Sequence, residues 1–279
     1  MALSILNNIP SLVAENQLNT TQANLQTTLY QLASGSRINS GADDAAGLSI
    51  ANSLQANITA LTQSQQNAND GVGQLQVADG ALSQVTSLLN RAVTLATEAA
   101  TGTVNGAQQT ALNTEFTSIK TEINSIGTDT TFNGTSVFTA TASSIFMSDA
   151  SSTAANNTIA TTTGVLTSTS IGGNAVAFGN DDLTSTGGAT TALHDINTAI
   201  AAVASLRGTV GASINQLQAA SNVMGTQVQN LTTAEDNITA ADVASDVSNM
   251  SKYNILEQTG MAALAQANSS QQAVLKLLQ

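Results

Sequence analysis

A heptad ladder runs unbroken from Ile196 to Leu231. Ile196, Val203, Val210, Leu217, Met224 and Leu231 are spaced by seven, and Ile200, Arg207, Ile214, Ser221 and Val228 fall between them at alternating steps of four and three. This is the a/d seam of a coiled coil. At about 1.5 Å per residue the ladder makes a helix roughly 54 Å long, too long for an ordinary compact domain. The expected fold is therefore elongated, and the seam demands a partner helix. Arg207 and Ser221 interrupt the seam. Either they set helix register, as buried polar seam residues do, or the helix rotates and Leu206 covers the gap.

A second ladder supplies the partner. Leu75, Ala78, Leu82, Val85, Leu89, Ala92, Ala96 and Ala99 also alternate by three and four, and their alanines let a facing helix come close. Gly71, Gly73 and Gly80 weaken this helix by about 1 kcal/mol each relative to Ala. Upstream, Leu18, Leu25 and Leu32 are spaced by seven with Leu29 beside them, which predicts an amphipathic helix ending near Ser34-Gly35. Ser40 with Asp43, and Thr239 with Asp242, read as capping boxes opening the next helices. A further helix carries Leu112, Phe116, Ile119, Ile123 and Ile126 and is expected to stop at Gly127. The last segment carries Val243, Val247, Met250, Ile255, Leu256, Leu264, Val274 and Leu278, in a stripe that changes phase after Met250.

Between about residues 128 and 191 the helical period vanishes and Ser, Thr, Gly, Asn and Ala dominate. Short β-prone pieces such as Ser144–Met147 and Thr158–Thr161 predict a small hairpin region. The fold class that follows is mainly α: an elongated antiparallel helical bundle or coiled coil with a small central β-hairpin region. Burying each Leu, Ile or Val side chain contributes roughly 1.5–3 kcal/mol, and neither end of the chain can bury its stripe alone, so the two ends should pair.

Composition narrows the function. Charged residues make up only 9% of the chain, whereas globular domains average about 25%. Aromatics at 3% argue against a large globular core and against base stacking. A net charge of −12 opposes nucleic-acid backbones and anionic membranes. No cysteine is present, which removes thiol catalysis and disulfides. The first residues, MALSILNNIPSLVAENQL, have no Lys or Arg ahead of the apolar positions and do not read as a cleaved signal peptide. Asp43-Asp44 lacks further ligands at metal spacing, and His194 stands without a triad. No catalytic site, metal site or cofactor is expected.

The ends of the chain resemble bacterial flagellin. The likeness is carried by Leu32-Ala33-Ser34-Gly35-Ser36-Arg37-Ile38-Asn39-Ser40, Asp43-Asp44-Ala45-Ala46-Gly47, Asn67-Ala68-Asn69-Asp70-Gly71 and Phe132-Asn133-Gly134. It closes with Val247-Ser248-Asn249-Met250-Ser251-Lys252 and Leu264-Ala265-Gln266-Ala267-Asn268. It covers about residues 1–138 and 193–279 and looks like a short form without large outer domains. The resemblance implies a terminal coiled-coil core domain from residues 1–40 with 240–279. It implies a helical rod over 41–239 that includes the small β region. Leu18, Leu25, Leu32, Val274 and Leu278 would take part in axial-core assembly, and Leu82, Leu89, Val203, Val210, Leu217 and Met224 in rod packing. The implied function is self-assembly into the extracellular flagellar filament after type III export without a cleaved signal. The implied partners are further copies of the chain, an export chaperone at the C-terminal helix, and the filament cap and hook-junction proteins. A host Toll-like receptor is implied too, at Arg91, Leu95 and Glu115, although Ala92, Val93 and Thr94 depart from the residues immunostimulatory members often carry there. A hook–filament junction protein of the same superfamily, or a secreted coiled-coil adhesin or effector, are the rival readings.

Overall fold

Heptad spacing becomes helix over most of the chain. The computed structural model describes residues 8–148 and 158–277, and its fold is mainly α. In chain order the helices are α1 (Ile9–Ser34), α2 (Ala45–Ala99), α3 (Gly106–Asp129), α4 (Thr186–Thr239) and α5 (Val243–Leu277). Contacts divide the chain into two units, Met1–Ala56 with Asn230–Gln279, and Asn57–Gln229.

The central unit is built on the two ladders. Arg207 pairs with Asp79, Gly71 faces Leu217 and Gly225 faces Gln65, so α2 and α4 run antiparallel. Every ladder residue expected on α2 from Leu75 to Ala99 is buried, and the same period extends back through Leu61, Ser64, Ala68 and Gly71. On α4 the buried column is Ala189, Ala192, Ile196, Ala199, Val203, Leu206 and Val210, then Leu217, Ser221 and Met224. Before Val210 the second column is therefore Ala199 and Leu206, not Ile200 and Arg207. After Val210 it is Ile214, half-buried, and Ser221. A helix of 3.6 residues per turn drifts by about 20° per heptad against a strict seven-residue repeat, and α4 takes up that drift at Val210. Leu206 covers the gap, and Arg207 is left at the seam edge to meet Asp79 at 2.7 Å.

Three small antiparallel sheets fill the link between α3 and α4. They are β1 (Thr131–Phe132) with β2 (Thr135–Ser136), β3 (Ser143–Phe146) with β4 (Thr158–Thr161), and β5 (Leu166–Thr167), β6 (Ser170–Ile171) and β7 (Asn174–Ala175) in that order. The β3–β4 hairpin takes the expected segments, with Ser144 opposite Ala160 and Ile145 opposite Ile159. The Ile145 side chain packs directly on Gly71, where an added methyl group would force it to shift, so this glycine eases the hairpin's approach as well as weakening the helix. A single 3₁₀ turn, Ala177–Asn180, sets Phe178 edge-on to Phe116, with ring centroids 5.9 Å apart.

Helix ends differ from the sequence reading in three places. Gly127 does not stop α3, which runs on to Asp129. Gly127 is instead where the helix backbone meets the Leu166 carbonyl, while Asn124 Oδ1 accepts a bond of 2.7 Å from the Ser168 amide. The cap of α2 is Asp44, which accepts from the Gly47 amide at 2.9 Å. Ser40 instead donates to Asp43 in the preceding turn. Likewise Asp242 caps α5 by accepting from the amides of Ala244 and Ser245, and Thr239 bonds back into α4. In both cases an Asp directly before the helix competes better for its free amides than a Ser or Thr three or four residues earlier. Gly35 ends α1 as expected, in the left-handed conformation with φ 69°.

Gly127→Ala would drive a methyl group into a backbone carbonyl that cannot turn aside. It should cost at least 1–3 kcal/mol (~) by analogy with overpacked cores. Leu89→Ala, at a fully buried seam position, should cost about 2–5 kcal/mol. Urea unfolding followed by circular dichroism measures both.

Candidate assembly surface

The terminal unit pairs α1 with α5, antiparallel. Ser11 Oγ donates to Asn268 Oδ1 at 3.1 Å, Leu18 packs on Gly260, and Gln22 Nε2 donates to Glu257 Oε1 at 3.1 Å. At the far end Ser36 bridges Ala240, and the Arg37 amide and guanidinium both donate to α4, to the carbonyls of Thr239 and Ile238, each at 2.6 Å. Arginine thus satisfies carbonyls that a helix end leaves open. Ile38 is buried over Gly47 beside this clasp, with Ala51 nearby in sequence and also buried.

The seam on α1 is Ser11, Ala14, Leu18, Thr21, Leu25, Thr28 and Leu32, at strict three and four steps. Leu18, Leu25 and Leu32 are half-buried, whereas Thr21 and Thr28 are buried. The two threonine hydroxyls bond back to the carbonyls of Gln17 and Asn24 within α1, which satisfies their polar oxygens inside the seam. On α5 the covered positions are Asp246, Met250, Tyr253, Glu257, Gly260, Leu264, Ala267 and Gln271. They too step by four and three. Of the expected stripe, Met250 and Leu264 are among these covered positions, whereas Val243, Val247, Ile255 and Leu256 are exposed. Val274 falls within α5, and Leu278 lies outside the described residues.

Large apolar side chains sit where a coiled coil normally shows polar ones. Ile9, Leu12, Val13 and Tyr30 occupy the b, c and f positions of α1, and Tyr30 is 71% exposed. On α5, Val243, Val247, Ile255, Leu256 and Met261 are exposed, Ile255 by 64%. By contrast the buried residues of this unit are few: Thr21, Thr28, Ile38, Gly47 and Ala51 among those described. Sequence reading missed this inversion because it counted apolar residues as seam. The close trio Ile9, Leu12 and Val13, out of phase with Leu18, Leu25 and Leu32, was the available signal.

The residues expected to pack the rod are all buried in the central unit: Leu82, Leu89, Val203, Val210, Leu217 and Met224. Arg91 and Glu115 face each other across α2 and α3 in a bidentate pair, with Arg91 Nε 2.7 Å from one carboxylate oxygen and Nη2 3.0 Å from the other. Both are exposed. The pairing lowers the Glu115 carboxyl below its ordinary range and raises Arg91. Leu95 differs from them. It has no exposed surface, and its side chain belongs to the core between the helices.

A second charged cluster lies under the 3₁₀ turn. Lys120 Nζ donates to the carbonyls of Asp181 (2.7 Å) and Gly179 (3.3 Å) and stands 5.0 Å over the Phe116 ring. Burial lowers its pKa, against the pull of Asp181 and Asp182. Asp181 Oδ2 is buried without a donor, and the Asp195 carboxyl from α4 lies against Asp181 close enough to bond once either is protonated. Burial and the Asp195 charge raise the Asp181 pKa, and Lys120 opposes them. Among the described residues no group of three or more His, Cys, Asp or Glu could hold a metal ion.

Residues 5–143 match the family model for the bacterial flagellin N-terminal helical region, and residues 193–278 match that for the bacterial flagellin C-terminal helical region. The flagellin of Halalkalibacterium halodurans is 32% identical over 98% of this chain and 99% of its own length. That of Bacillus subtilis is 31% identical over 99% and 100%. A crystal structure of Bacillus cereus flagellin shares 29% identity, with a TM-score of 0.49 over 61% of this chain and 94% of its own.

A raised Asp181 favours folding fully below the ordinary carboxyl pKa of about 3.9. That contribution is lost as pH rises through its folded value. Asp181→Asn removes the loss, so its stability relative to the unsubstituted chain should grow as pH rises above the ordinary carboxyl pKa of about 3.9 and level off once pH has passed the raised folded value. Thermal melts across that range measure the difference, and a pH-independent gap would contradict the assignment.

Proposed function

This chain belongs to the bacterial flagellins and is a structural subunit of the extracellular flagellar filament, and from that premise we propose that the exposed apolar faces of α1 and α5 carry the contacts between subunits. One observation supports this above all. Ten of the exposed large apolar residues, Ile9, Leu12, Val13, Leu29 and Tyr30 with Val243, Val247, Ile255, Leu256 and Met261, lie on these two helices. The pair mixes Leu18, Leu25, Leu32, Met250 and Leu264 in its seam with threonine, glycine and carboxyl-bearing residues, and turns these ten apolar side chains to water. An apolar face of this size is satisfied when another protein covers it, and in a homopolymer that protein is a second copy.

In this reading the assembly unit is Met1–Ala56 with Asn230–Gln279. Leu18, Leu25 and Leu32 hold α1 against α5 as the axial core, to which Val274 and Leu278 are assigned by the resemblance alone, while the outer residues join neighbours. The chain is a structural protein and not an enzyme, and nothing favours the junction-protein or adhesin readings. An export chaperone has a binding face in the exposed α5 residues Val247, Ile255, Leu256 and Met261, which need cover before polymerisation. Filament cap and hook-junction proteins would meet the same faces at the two ends of the polymer. Arg91 and Glu115 form the exposed part of a Toll-like receptor contact. Leu95 would support that surface from the core and would not touch a receptor in the folded subunit.

Replacing Leu12 and Ile255 together by Asp should abolish seeded polymerisation seen by electron microscopy. The thermal transition of the central unit should stay within about 0.5 kcal/mol of the unsubstituted chain, as expected for surface changes away from its core. Filaments of normal yield from this variant would remove the outer faces from assembly.

A further inference from the structure

The chain has two Asn-Gly pairs, Asn105-Gly106 and Asn133-Gly134. This dipeptide loses its side-chain amide more readily than others because glycine has no Cβ to hinder attack by its nitrogen. The fold treats the two pairs in opposite ways. Asn105 is the N-cap of α3. Its Oδ1 accepts from the Gln108 amide at 2.9 Å, and Gln108 Oε1 accepts from the Asn105 amide at 2.9 Å. This reciprocal box pins the carboxamide against the helix start.

Asn133 sits at the tip of the β1–β2 hairpin. With φ 50° at Asn133 and 76° at Gly134, the loop has positive φ at both central residues, as a type I′ turn requires. Asn133 is the one non-glycine residue with positive φ among the described residues. It is exposed, and no described residue hydrogen-bonds its carboxamide. The strands that hold the turn pair only Thr131 with Ser136 and Phe132 with Thr135. Strands this short open locally at little cost, which frees the dihedral angles that the reaction needs.

We propose that Asn133 is a site of spontaneous self-deamidation, through which the β1–β2 turn ages into an isoaspartyl linkage while the capped Asn105 is spared. Hydroxide removes the Gly134 amide proton, and the nitrogen attacks Asn133 Cγ. The N–Cγ bond forms and the Cγ–Nδ2 bond breaks. Ammonia leaves with a proton from water, which restores the hydroxide. Water then opens the resulting succinimide. Cleavage at Cγ returns an ordinary peptide bond with aspartate, and cleavage at the backbone carbonyl routes the chain through the former side chain as isoaspartate. Nothing is oxidised or reduced, and water is the sole co-reactant.

Isoaspartate inserts an extra backbone carbon, which a two-residue turn cannot hold in register. The residue displaced first is Phe132, whose ring stands 3.6 Å from where a Gly73 side chain would begin on α2. Either product adds one negative charge to a chain already at −12.

The test follows the full-length folded chain in warm, mildly alkaline buffer. Peptide mass mapping with chromatographic separation of the two acid products reads each site, and a parallel sample is held in urea. Asn133 should convert at least several-fold faster than Asn105 in the folded chain, with isoaspartate exceeding aspartate, and the two rates should converge in urea. Asn133→Gly, which keeps the turn, should abolish the folded-state mass change. The proposal is overturned by an Asn133 that survives as long as Asn105, by a rate difference that persists in urea, by aspartate as the only product, or by an unchanged mass shift in Asn133→Gly.

Discussion

The fit of α2 against α4 is the constraint on which the central unit depends. Leu75, Leu82, Val85 and Leu89 share the α2 seam with Ala78, Ala92 and Ala96, and all are fully or almost fully buried. Large residues fill the space that small ones leave, which is how helices pack at close range over many turns. The same logic reaches the sheets. Gly71 lets Ile145 of β3 onto α2, and Gly127 lets the Leu166 carbonyl of β5 onto α3. Replacing Gly127 with a larger residue would push the β5 backbone off α3, whereas at Gly71 the Ile145 side chain would have to turn aside.

The terminal unit has the opposite balance. Its seam holds Leu18, Leu25, Leu32, Met250 and Leu264 only half-buried, interleaved with threonine, Gly260 and the carboxyl-bearing Asp246 and Glu257, so burying it contributes less than the central seam does. Side-chain hydrogen bonds such as Ser11–Asn268 and Gln22–Glu257 are exposed. They fix register more than they stabilise, since solvent competes for each partner. Many of the larger apolar residues of the pair, among them Ile9, Leu12, Tyr30, Ile255 and Leu256, point outward. A filament subunit gains from this arrangement, because a pair with weak internal packing and an apolar exterior is completed by contact with further copies.

Much of this was legible in the sequence wherever seam residues are also apolar. The α2 ladder from Leu75 to Ala99 is an example: every expected position is buried, and Leu95 is the one addition. On α4 the second column was misplaced by one residue before Val210, since a strict heptad ignores the drift of a straight helix; Ala199 and Leu206 hide among many small residues. On α5 hydropathy found only Met250 and Leu264 of the covered positions, because Asp246, Glu257 and Gln271 occupy others. Val247 and Ile255 suggested a stripe that faces away from α1. Gly127 looked like a helix stop because a tertiary contact, invisible in local sequence, explains it. Leu95 matched a surface motif yet is buried, because spacing along a helix does not say which turn a neighbouring helix covers.

Residue-resolved amide hydrogen exchange, compared between monomer and filament, tests the central claim most directly. If neighbouring copies complete the terminal unit, amides of residues 9–34 and 243–277 exchange quickly in the monomer and become strongly protected in the filament. Those of Leu75–Ala99 and Ile196–Met224 should then be protected in both states. Terminal amides as well protected in the monomer as in the filament would contradict the account, since the α1–α5 pair would then be stable without any partner to cover its outer face.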